Sequence, residues 1–391
     1  MSNKLKIFLV SHSAENSGAP RVLLEVAELL KEDYDITICF PENKGAAREA
    51  RDMGLNVIII PNPQVGFSET RGITGKIGIL RNRLRYILKI RKVVKKNGYP
   101  IIYLNSAASV YAGLGLYGLG KKIIWHLHED FVPGLYNRFR RFVITRLSDL
   151  LIFVSPSNAE YFKGKLSGIK TLILPNGVKL ERFGKFEIDE DYRKKFQYKI
   201  DDIIIATLSY ISHRKGIDIF EKAMVRVIEQ FPEVKAVVPG DRKTAAPEYL
   251  KEVDEIAEKE ILKNRLFLPG HCTNVPSFLD CVDIFVLPSR NDPMPLAVLE
   301  ALAAGKPVVA SDVGNLREMV APPGDELQAG IIVPPENPEA LAEAILELLQ
   351  NPEKRKVMSE NALKKAERDY SMETFRKRIK EAVNTEASMF K

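Results

Sequence analysis

Cysteine is scarce in this chain, and long apolar runs are missing. The 391 residues include three cysteines, Cys39, Cys272 and Cys281, and no two of them form a C-x-x-C pair. This pattern argues against a disulfide framework or a thiolate metal site, and it suits a reducing cytosol. No segment approaches the run of about 20 apolar residues that spans a membrane, and no apolar leader precedes the first strand pattern. We therefore expect a cytoplasmic protein without a membrane span.

Positive charge is in excess and unevenly spread. The net charge is +7, and cations lie between helically spaced apolar residues from Lys76 to Lys96. Such a helix can lie on an anionic membrane surface, which would make the protein peripheral at the inner face of the membrane. The same pattern describes the solvated face of an ordinary amphipathic helix, so both interpretations stay open. No recognised nucleic-acid-binding motif accompanies the charge, and we expect no nucleic acid partner.

Apolar segments alternate with helical ones in two series, which predicts two doubly wound α/β domains in tandem. A polar passage up to about residue 202 separates the series. We place the domains at residues 1–180 and 201–366, with a C-terminal helix at 367–391 that packs back towards the first domain. The predicted strands are 6–10, 35–40, 57–60, 101–104, 122–127, 150–154 and 171–174, then 203–208, 234–238, 265–268, 283–287, 307–310 and 330–333.

The segment from Ser289 to Glu300 is the most informative part of the sequence. It joins the predicted strand 283–287 to a helix predicted over 295–304, with Pro295 in its first turn. A helix that begins at the carboxyl edge of a parallel sheet offers backbone N–H groups and a positive dipole end to a phosphate. Asp292 and Glu300 would then face the hydroxyls of a sugar and a ribose. The alternative is a polar loop followed by a helix with a surface glutamate.

Three other segments follow predicted strands and carry polar side chains. His12 to Pro20 offers small residues before a helix predicted to begin near Arg21, and Ser209 to Gly216 offers cations for phosphate oxygens. Trp125 to Asp130 contains two histidines that could orient a sugar hydroxyl or assist a proton transfer. Each segment also has a structural alternative as a plain loop, a solvated basic turn or hydrogen-bonded histidines. No third cluster of ligands accompanies the histidines, so we predict no metal site.

Two short patterns suggest other functions and are better explained structurally. Gly113 to Gly118 reads G-x-G-x-x-G, but it lies inside an apolar helical run with no acidic partner at the ribose-binding distance. Close helix packing is the better interpretation. Asp33 to Asp35 reads D-x-D, as in some metal-dependent sugar transferases, but it falls where a turn joins a helix to a strand.

Taken in order, these segments resemble glycosyltransferase family 4, retaining enzymes of the GT-B fold that use nucleoside-diphosphate sugars. The resemblance covers nearly the whole chain and is strongest from Ser209 to Val320. It implies two Rossmann-like domains with an interdomain cleft, the donor on the second and the acceptor on the first. The segments that carry the resemblance are Ser17–Pro20, His128–Glu129, Val154–Asn158, Pro175–Val178, Arg214–Gly216, Pro239–Asp241 and Asp292 through Glu300 to Gly314.

The resemblance also implies residue roles. Glu300 would bind the ribose hydroxyls, Asp292 the donor sugar and Lys215 the diphosphate. The predicted catalytic residues are His128, Lys215 and Asp292. The predicted donor-binding residues are Gly18, Arg214, Lys215, Gly240, His271, Asp292, Met294, Pro295, Leu296, Ala297 and Glu300, and the candidate acceptor-binding residues are Asn105, His126 and Glu129.

The implied reaction is metal-independent transfer of a hexose-type sugar, with retention, to a glycan or lipid-linked glycan. It would serve cell-surface polysaccharide or glycolipid synthesis and need no cofactor beyond the nucleoside-diphosphate sugar. Three positions depart from the family pattern: Asp292 replaces a glutamate, Tyr210 stands where a second phosphate-binding arginine is common, and Ser17 replaces a glycine. Arg214 and Arg242 are the candidates to replace that arginine. A nucleotide-sugar 2-epimerase and a non-catalytic nucleotide-sugar-binding protein remain as alternatives.

Overall fold

The computed structural model describes residues 4–15, 18–62, 73–131, 134–183, 192, 198–199, 202–243 and 245–390, with the backbone alone at 73–76. The chain divides into two compact units. One comprises Met1–Pro175 with Phe375–Lys391, and the other comprises Asn176–Thr374. The predicted domains ended at residue 180 and began again at 201. Most of the polar passage between them lies outside the described residues, as does Ser17.

The first unit contains a parallel sheet of seven strands in the order β3-β2-β1-β4-β5-β6-β7. The apolar runs of β1 and β4 are almost wholly buried, as a sheet covered on both faces requires. The strands are β1 Lys6–Val10, β2 Asp35–Phe40, β3 Asn56–Ile59, β4 Ile101–Asn105, β5 Lys122–Leu127, β6 Leu150–Phe153 and β7 Lys170–Ile173. The helices are α1 Gly18–Leu30, α2 Ala46–Asp52, α3 Ile73–Asn97, α4 Val110–Leu116, α5 Leu135–Leu147 and α6 Pro156–Glu160, and a 3₁₀ helix spans Ala107–Ser109.

The second unit contains a parallel sheet of six strands in the order β10-β9-β8-β11-β12-β13. The strands are β8 Ile203–Ala206, β9 Val234–Pro239, β10 Leu266–Gly270, β11 Ile284–Leu287, β12 Val308–Ser311 and β13 Gly330–Val333. The helices are α7 Ile217–Gln230, α8 Pro247–Ala257, α9 Val275–Asp280, α10 Leu296–Ala303, α11 Leu316–Val320, α12 Pro338–Gln350 and α13 Pro352–Tyr370. Short 3₁₀ helices span Leu180–Phe183, His213–Lys215 and Glu260–Leu262.

The last helix, α14 Met372–Ala387, is followed by a 3₁₀ turn at Ser388–Phe390. From Phe375 onward it belongs to the first unit. Its Lys380 Nζ lies 2.7 Å from Asp33, and its Glu386 accepts a hydrogen bond from Lys170 Nζ at 2.8 Å. Ion pairs therefore attach the chain's last helix to both a turn and an edge strand of the first sheet.

Each predicted strand is present, and no end differs from the prediction by more than two residues. In both sheets the strand order reverses at the first strand, so the topological switch points lie between β1 and β4 and between β8 and β11. Crevices at the carboxyl ends of strands beside a switch point are where ligands bind in open α/β sheets. Three of the four polar segments singled out from the sequence follow β1, β8 and β11, and the fourth, at residues 125–130, lies at the end of β5, next to β4.

The two competing sequence patterns have structural explanations. A Cβ atom added at Gly113 would lie 2.7 Å from the ring of Trp125, and one at Gly115 would lie 2.7 Å from the carbonyl oxygen of Ile87. The glycines therefore let α4 approach β5 and α3 closely, which confirms the packing interpretation. Asp33 lies in the turn before β2 and Asp35 begins that strand, at the opposite edge of the sheet from the switch-point crevice.

No helix among the described residues is both long enough and apolar enough to cross a membrane.

The close approach at Gly113 yields a stability prediction. We expect Gly113→Ala to lower the free energy of unfolding by about 1 to 3 kcal/mol, because the added methyl group overpacks the contact with Trp125. Urea denaturation followed by circular dichroism measures it. Gly78→Ala in α3 is the matched control, since a Cβ there meets no atom within 4 Å. That change should raise stability by about 0.5 to 1 kcal/mol. Equal effects of the two changes would contradict the packing argument.

Candidate active site

Three loops of the second unit pack together at the carboxyl edge of its sheet. Gly216, which ends the 3₁₀ helix His213–Lys215, has a left-handed φ of 67°, and a Cβ there would lie 2.1 Å from the carbonyl oxygen of Pro288. At Gly314 a Cβ would lie 1.9 Å from the carbonyl oxygen of Asp292. Glycine is therefore required at both positions, and the loops after β8, β11 and β12 touch through their backbones.

This packing brings Lys215 and Asp292 together. Their exposed fractions are 9% and 6%, and Lys215 Nζ donates a hydrogen bond to Asp292 Oδ2. Arg214 Nη1 lies 3.7 Å from Asp292 Oδ1 and donates to the carbonyl oxygen of Asn291 at 2.8 Å. Two cations thus surround one carboxylate at the switch point, where the sequence predicted a phosphate site.

Tyr210 lies beside these cations. Arg214 Nη2 donates to the Tyr210 hydroxyl at 2.5 Å, and Lys215 Nζ lies 5.7 Å from the centre of the Tyr210 ring. Of the two candidates to replace the usual arginine, Arg214 therefore lies at the site. Arg242 instead pairs with both oxygens of Asp254 on α8 at 2.6 Å.

An ion pair that the sequence analysis missed anchors the cationic turn. Arg290 donates to both oxygens of Asp218 at 2.8 Å and to the carbonyl oxygen of His213 at 2.8 Å. Burial alone would raise the pKa of Asp218, but the hydrogen bonds from Arg290 and Tyr249 outweigh it and lower the pKa to about 2. The pair fastens the turn carrying Lys215 to the loop carrying Asp292. In the sequence, the sole indication of this ion pair was that each of its residues lies where a strand passes through a loop into a helix.

The second unit's remaining predicted donor residues also lie in segments that follow its strands. Glu300 lies on α10 and is largely buried. Helix α10 begins at Leu296, one residue later than predicted, because Pro295 has an extended ψ of 118° and precedes the first turn. A Cβ at Gly240 would lie 2.0 Å from the carbonyl oxygen of Ser209, and the exposed His271 follows β10. Met294 is buried, while Leu296 and Ala297 form the partly exposed first turn of α10.

In the first unit, two histidine rings lie close together at the end of β5, tilted by 43° to each other. The ring centres of His126 and His128 are 4.1 Å apart. His126 is fully buried and shares a hydrogen bond of 2.7 Å with the Tyr103 hydroxyl, so it lies beneath the partly exposed His128. His128 Nε2 shares a hydrogen bond of 2.8 Å with Asn105 Oδ1. Burial lowers the pKa of His128 to about 4, so its ring is neutral at pH 7.

Asn105 and Glu129 hold the surrounding backbone. Asn105 Nδ2 donates to the carbonyl oxygen of Ala19 at 2.9 Å, which ties β4 to the start of α1 beside Gly18. Helix α1 begins at Gly18, three residues before the predicted start. Glu129 accepts hydrogen bonds from Ser106 Oγ and from the backbone N–H groups of Ala107 and His128. Asn105, His126 and Glu129 thus support His128, and their direct contact with an acceptor stays a prediction.

The Glu129 carboxylate remains ionised in this setting. Burial raises its pKa, but the Ser106 hydrogen bond and the neighbouring His12 and Arg140 outweigh burial and bring the pKa below 4.5. His12, which follows β1, has a pKa lowered by burial. No group of three histidine, cysteine, aspartate or glutamate residues in the described ranges is placed to hold a metal ion.

Each half of the chain matches a family model of known glycosyltransferases. The profile described as "Glycosyltransferase Family 4" matches residues 16–182, and the one described as "Glycosyl transferases group 1" matches residues 188–365. The chain belongs to the family 4 type of GT-B glycosyltransferases. Anabaena HepE in complex with UDP-glucose has the same fold, with a TM-score of 0.82 at 20% identity over 97% of this chain and 100% of that chain. The prediction of two Rossmann-like α/β domains is confirmed.

Two curated relatives are similar over much of the chain. The lipopolysaccharide core biosynthesis mannosyltransferase LpsB of Rhizobium meliloti is 27% identical over 60% of this chain and 64% of its own length. An Escherichia coli UDP-Gal:alpha-D-GlcNAc-diphosphoundecaprenol alpha-1,3-galactosyltransferase is 24% identical over 80% of this chain and 81% of its own length. The chain therefore spans just under two thirds of the first relative and about four fifths of the second.

A buried carboxyl group behind the site yields a prediction about pH. Glu221 on α7 is fully buried, and within the part of the chain that the structure describes neither of its oxygens has a hydrogen-bond partner. Burial and the nearby carboxylates of Asp218 and Asp254 raise its pKa from 4.5 to about 9. Between these values the folded protein keeps a proton that the unfolded chain releases, so this group's contribution to stability is complete below pH 4.5 and falls as the pH rises towards 9.

We therefore expect Glu221→Gln to stabilise the protein increasingly with pH. The gain should be small at pH 5 and on the order of 2 to 4 kcal/mol at pH 7.5, because glutamine never ionises. Thermal unfolding at several pH values measures it. Glu229→Gln on the same helix is the control, since Glu229 is exposed. A gain for Glu221→Gln that does not depend on pH would show that Glu221 is ionised in the folded protein.

Proposed function

We propose that this protein transfers a hexose-type sugar from a nucleoside-diphosphate sugar to a glycan or lipid-linked glycan, with retention and without a metal ion. The role would be the synthesis of a cell-surface polysaccharide or glycolipid on the cytoplasmic side of the membrane. The observation that carries the proposal is the position of Lys215 and Arg214 at the β8–β11 switch point. There, both cationic side chains lie at the carboxylate of Asp292, in the loop that leads into the first turn of α10.

In the proposed reaction, the bond between the anomeric carbon and the diphosphate oxygen breaks while the acceptor oxygen attacks from the same face of the sugar. The departing phosphate oxygen takes the acceptor's proton, so no protein nucleophile is required. Negative charge grows on the diphosphate, and groups already oriented towards it stabilise the transition state. Lys215, Arg214 and the backbone N–H groups from Met294 to Ala297 would supply this stabilisation.

The remaining roles follow the positions of the side chains. Glu300 would accept hydrogen bonds from the ribose hydroxyls, and Asp292 from the donor sugar. His128 would contact the donor sugar or the acceptor hydroxyl. Because burial holds the pKa of His128 at about 4, its neutral ring can both donate and accept hydrogen bonds at pH 7.

The relatives support this class of acceptor and give no support to the epimerase alternative. LpsB is named for lipopolysaccharide core biosynthesis, and the Escherichia coli relative is named for a sugar carried on diphosphoundecaprenol. A non-catalytic sugar-nucleotide binder remains the second candidate, because Asp292 and Tyr210 depart from the family pattern.

A transfer assay tests the proposal. The protein is incubated with UDP-, GDP-, dTDP- and ADP-sugars and a membrane-lipid extract, in the presence of EDTA. We expect one donor class to yield a glycosylated lipid together with free nucleoside diphosphate. Lys215→Ala should lower turnover about a hundredfold or more, because it removes a main stabiliser of the leaving diphosphate. Lys235→Ala is the control, since Lys235 lies near the start of β9, away from the carboxyl edge of the sheet, and its Nζ donates to the carbonyl oxygen of Asn264 at 3.4 Å.

Three outcomes would contradict the proposal. Conversion of the sugar nucleotide into another one when no acceptor is added would indicate a 2-epimerase. Binding of the sugar nucleotide without turnover would indicate a non-catalytic binding protein. Normal turnover of Lys215→Ala would exclude that lysine from the diphosphate site.

A surface of the first unit supports peripheral membrane binding. Helix α3 exposes more than half of each of four side chains, Ile77, Leu80, Leu84 and Leu88, beside exposed cations. Helix α4 packs against both α3 and α5. Helix α5 exposes Leu135, Tyr136, Phe139 and Phe142. Apolar side chains among cations suit the boundary between headgroups and acyl chains.

Two cations of α3 have structural partners instead. Arg83 is buried, with its guanidinium 4.7 Å from the centre of the Tyr111 ring. Arg91 donates to the carbonyl oxygens of Gly115 and Tyr117 at 3.3 and 2.7 Å. The side chain of Lys76 lies outside the described residues. The exposed cations available to anionic lipids are Arg81, Arg85, Lys89, Lys92, Lys95 and Lys96.

We expect replacement of these six cations with glutamine to abolish sedimentation with vesicles of phosphatidylglycerol and phosphatidylcholine, and to leave nucleotide affinity unchanged. Each cation near an anionic surface contributes about 1 kcal/mol to binding. The matched control replaces six exposed cations of α13 and α14 with glutamine: Lys354, Lys356, Lys364, Arg376, Lys377 and Arg378. Equal loss in both variants would indicate an effect of net charge alone, and undiminished binding of the α3 variant would refute this surface.

A further inference from the structure

The cations assigned to the diphosphate already have an anionic partner in this structure. Lys215 Nζ is hydrogen-bonded to Asp292 Oδ2, and Arg214 Nη1 lies 3.7 Å from Asp292 Oδ1. The side chains of Lys215 and Asp292 are 11% and 8% exposed, so water screens this pair weakly. The Asp292 carboxylate therefore contacts the same ammonium group that a diphosphate oxygen would contact.

A bound diphosphate and an ionised Asp292 would repel each other across Lys215. The repulsion is tolerable when Asp292 accepts hydrogen bonds from other donors, because a buried carboxylate without such donors is costly. The hydroxyl groups of a donor sugar supply them, whereas a diphosphate without a sugar does not. The two ligands thus differ in what they offer Asp292, although both offer phosphate oxygens to Lys215.

We propose that Asp292 competes with the diphosphate for Lys215 and thereby makes the site prefer the sugar-bearing donor over the sugar-free diphosphate product. After transfer, the product no longer supplies sugar hydroxyls, and Asp292 returns to Lys215 as the diphosphate leaves. The residue would therefore act in product release as well as in donor binding. The naming of donor and product rests on the proposed function, but the competition itself depends only on the Lys215–Asp292 pair.

The arrangement of the backbone limits how Asp292 can avoid this competition. A Cβ at Gly314 would lie 1.9 Å from the Asp292 carbonyl oxygen, so the loop after β12 packs directly on the backbone of Asp292. Arg290, two residues earlier, is fixed by Asp218 and by the carbonyl oxygen of His213. The carboxylate can leave Lys215 by side-chain rotation, while the backbone that carries it stays in place.

Inorganic pyrophosphate is the probe, because it presents diphosphate oxygens without a sugar or a base. Isothermal titration at pH 7.5 compares the wild type with Asp292→Asn. We expect the variant to bind pyrophosphate about tenfold more tightly, which corresponds to about 1.4 kcal/mol. Asp292→Ser, measured beside it, should show a similar gain and keeps the test independent of one variant's folding. Adding Lys215→Gln to Asp292→Asn should abolish the gain.

Two controls separate competition from net charge. Asp149→Asn breaks another lysine–aspartate pair, formed with Lys122 at 2.7 Å in the first unit, and should leave the pyrophosphate Kd unchanged. Asp292→Glu keeps the carboxylate and should also bind pyrophosphate weakly. Titration with UDP and UDP-glucose extends the test. The Asp292→Asn variant should bind UDP more tightly than the wild type does, and UDP-glucose more weakly.

Unchanged or weaker pyrophosphate binding by both Asp292→Asn and Asp292→Ser would overturn the inference, even if the wild type transfers sugar. Tighter binding by these variants would support it, even if the transfer assay fails and the proposed function is abandoned. An equal gain for Asp149→Asn would also overturn it, because the effect would then follow net charge.

Discussion

The second unit's site depends on a nearly buried ion pair, Lys215 with Asp292. Removing two charges from water is costly, and their attraction offsets the cost only when geometry is good and further hydrogen bonds satisfy both groups. Here Arg214 provides a second cation, and Asp218 with Arg290 fixes the turn and the loop that carry the pair. These contacts hold the cationic side chains in fixed positions.

The same sheet topology supports different chemistry in the two units. In each, the polar residues lie on loops that follow strands at or beside the switch point, because parallel strands there leave a crevice between diverging connections. The second unit places permanent cations in it, which suit a diphosphate at any physiological pH. The first unit places His128 there, and burial keeps its ring neutral. A neutral ring suits an uncharged hydroxyl better than a phosphate.

Much of the fold was predictable because buried parallel strands are nearly continuous apolar runs with clear ends. The positions of the candidate site residues were predictable where a local pattern links a strand to a helix, as with Lys215 before Gly216 or Asp292 before α10. Contacts between distant segments were not. Arg290 and Asp218 are 72 residues apart, and neither carries a local signal of the other. Glu221 reads as an ordinary polar position on a helix, and only the packing around α7 shows that it is buried.

The basic helix α3 shows why charge patterning alone left two interpretations open. Arg83 and Arg91 have the same residue type and regional spacing as their neighbours, yet one is buried against Tyr111 and the other binds backbone carbonyls of the α4 segment. Which cations of α3 have structural partners and which are exposed depends on the face of α3 that α4 covers. The sequence of α3 does not contain that information. Once α4 is in place, the uncovered face carries leucines as well as cations. A merely solvated face needs no such leucines, and the proposed membrane-facing surface rests on their exposure beside the cations.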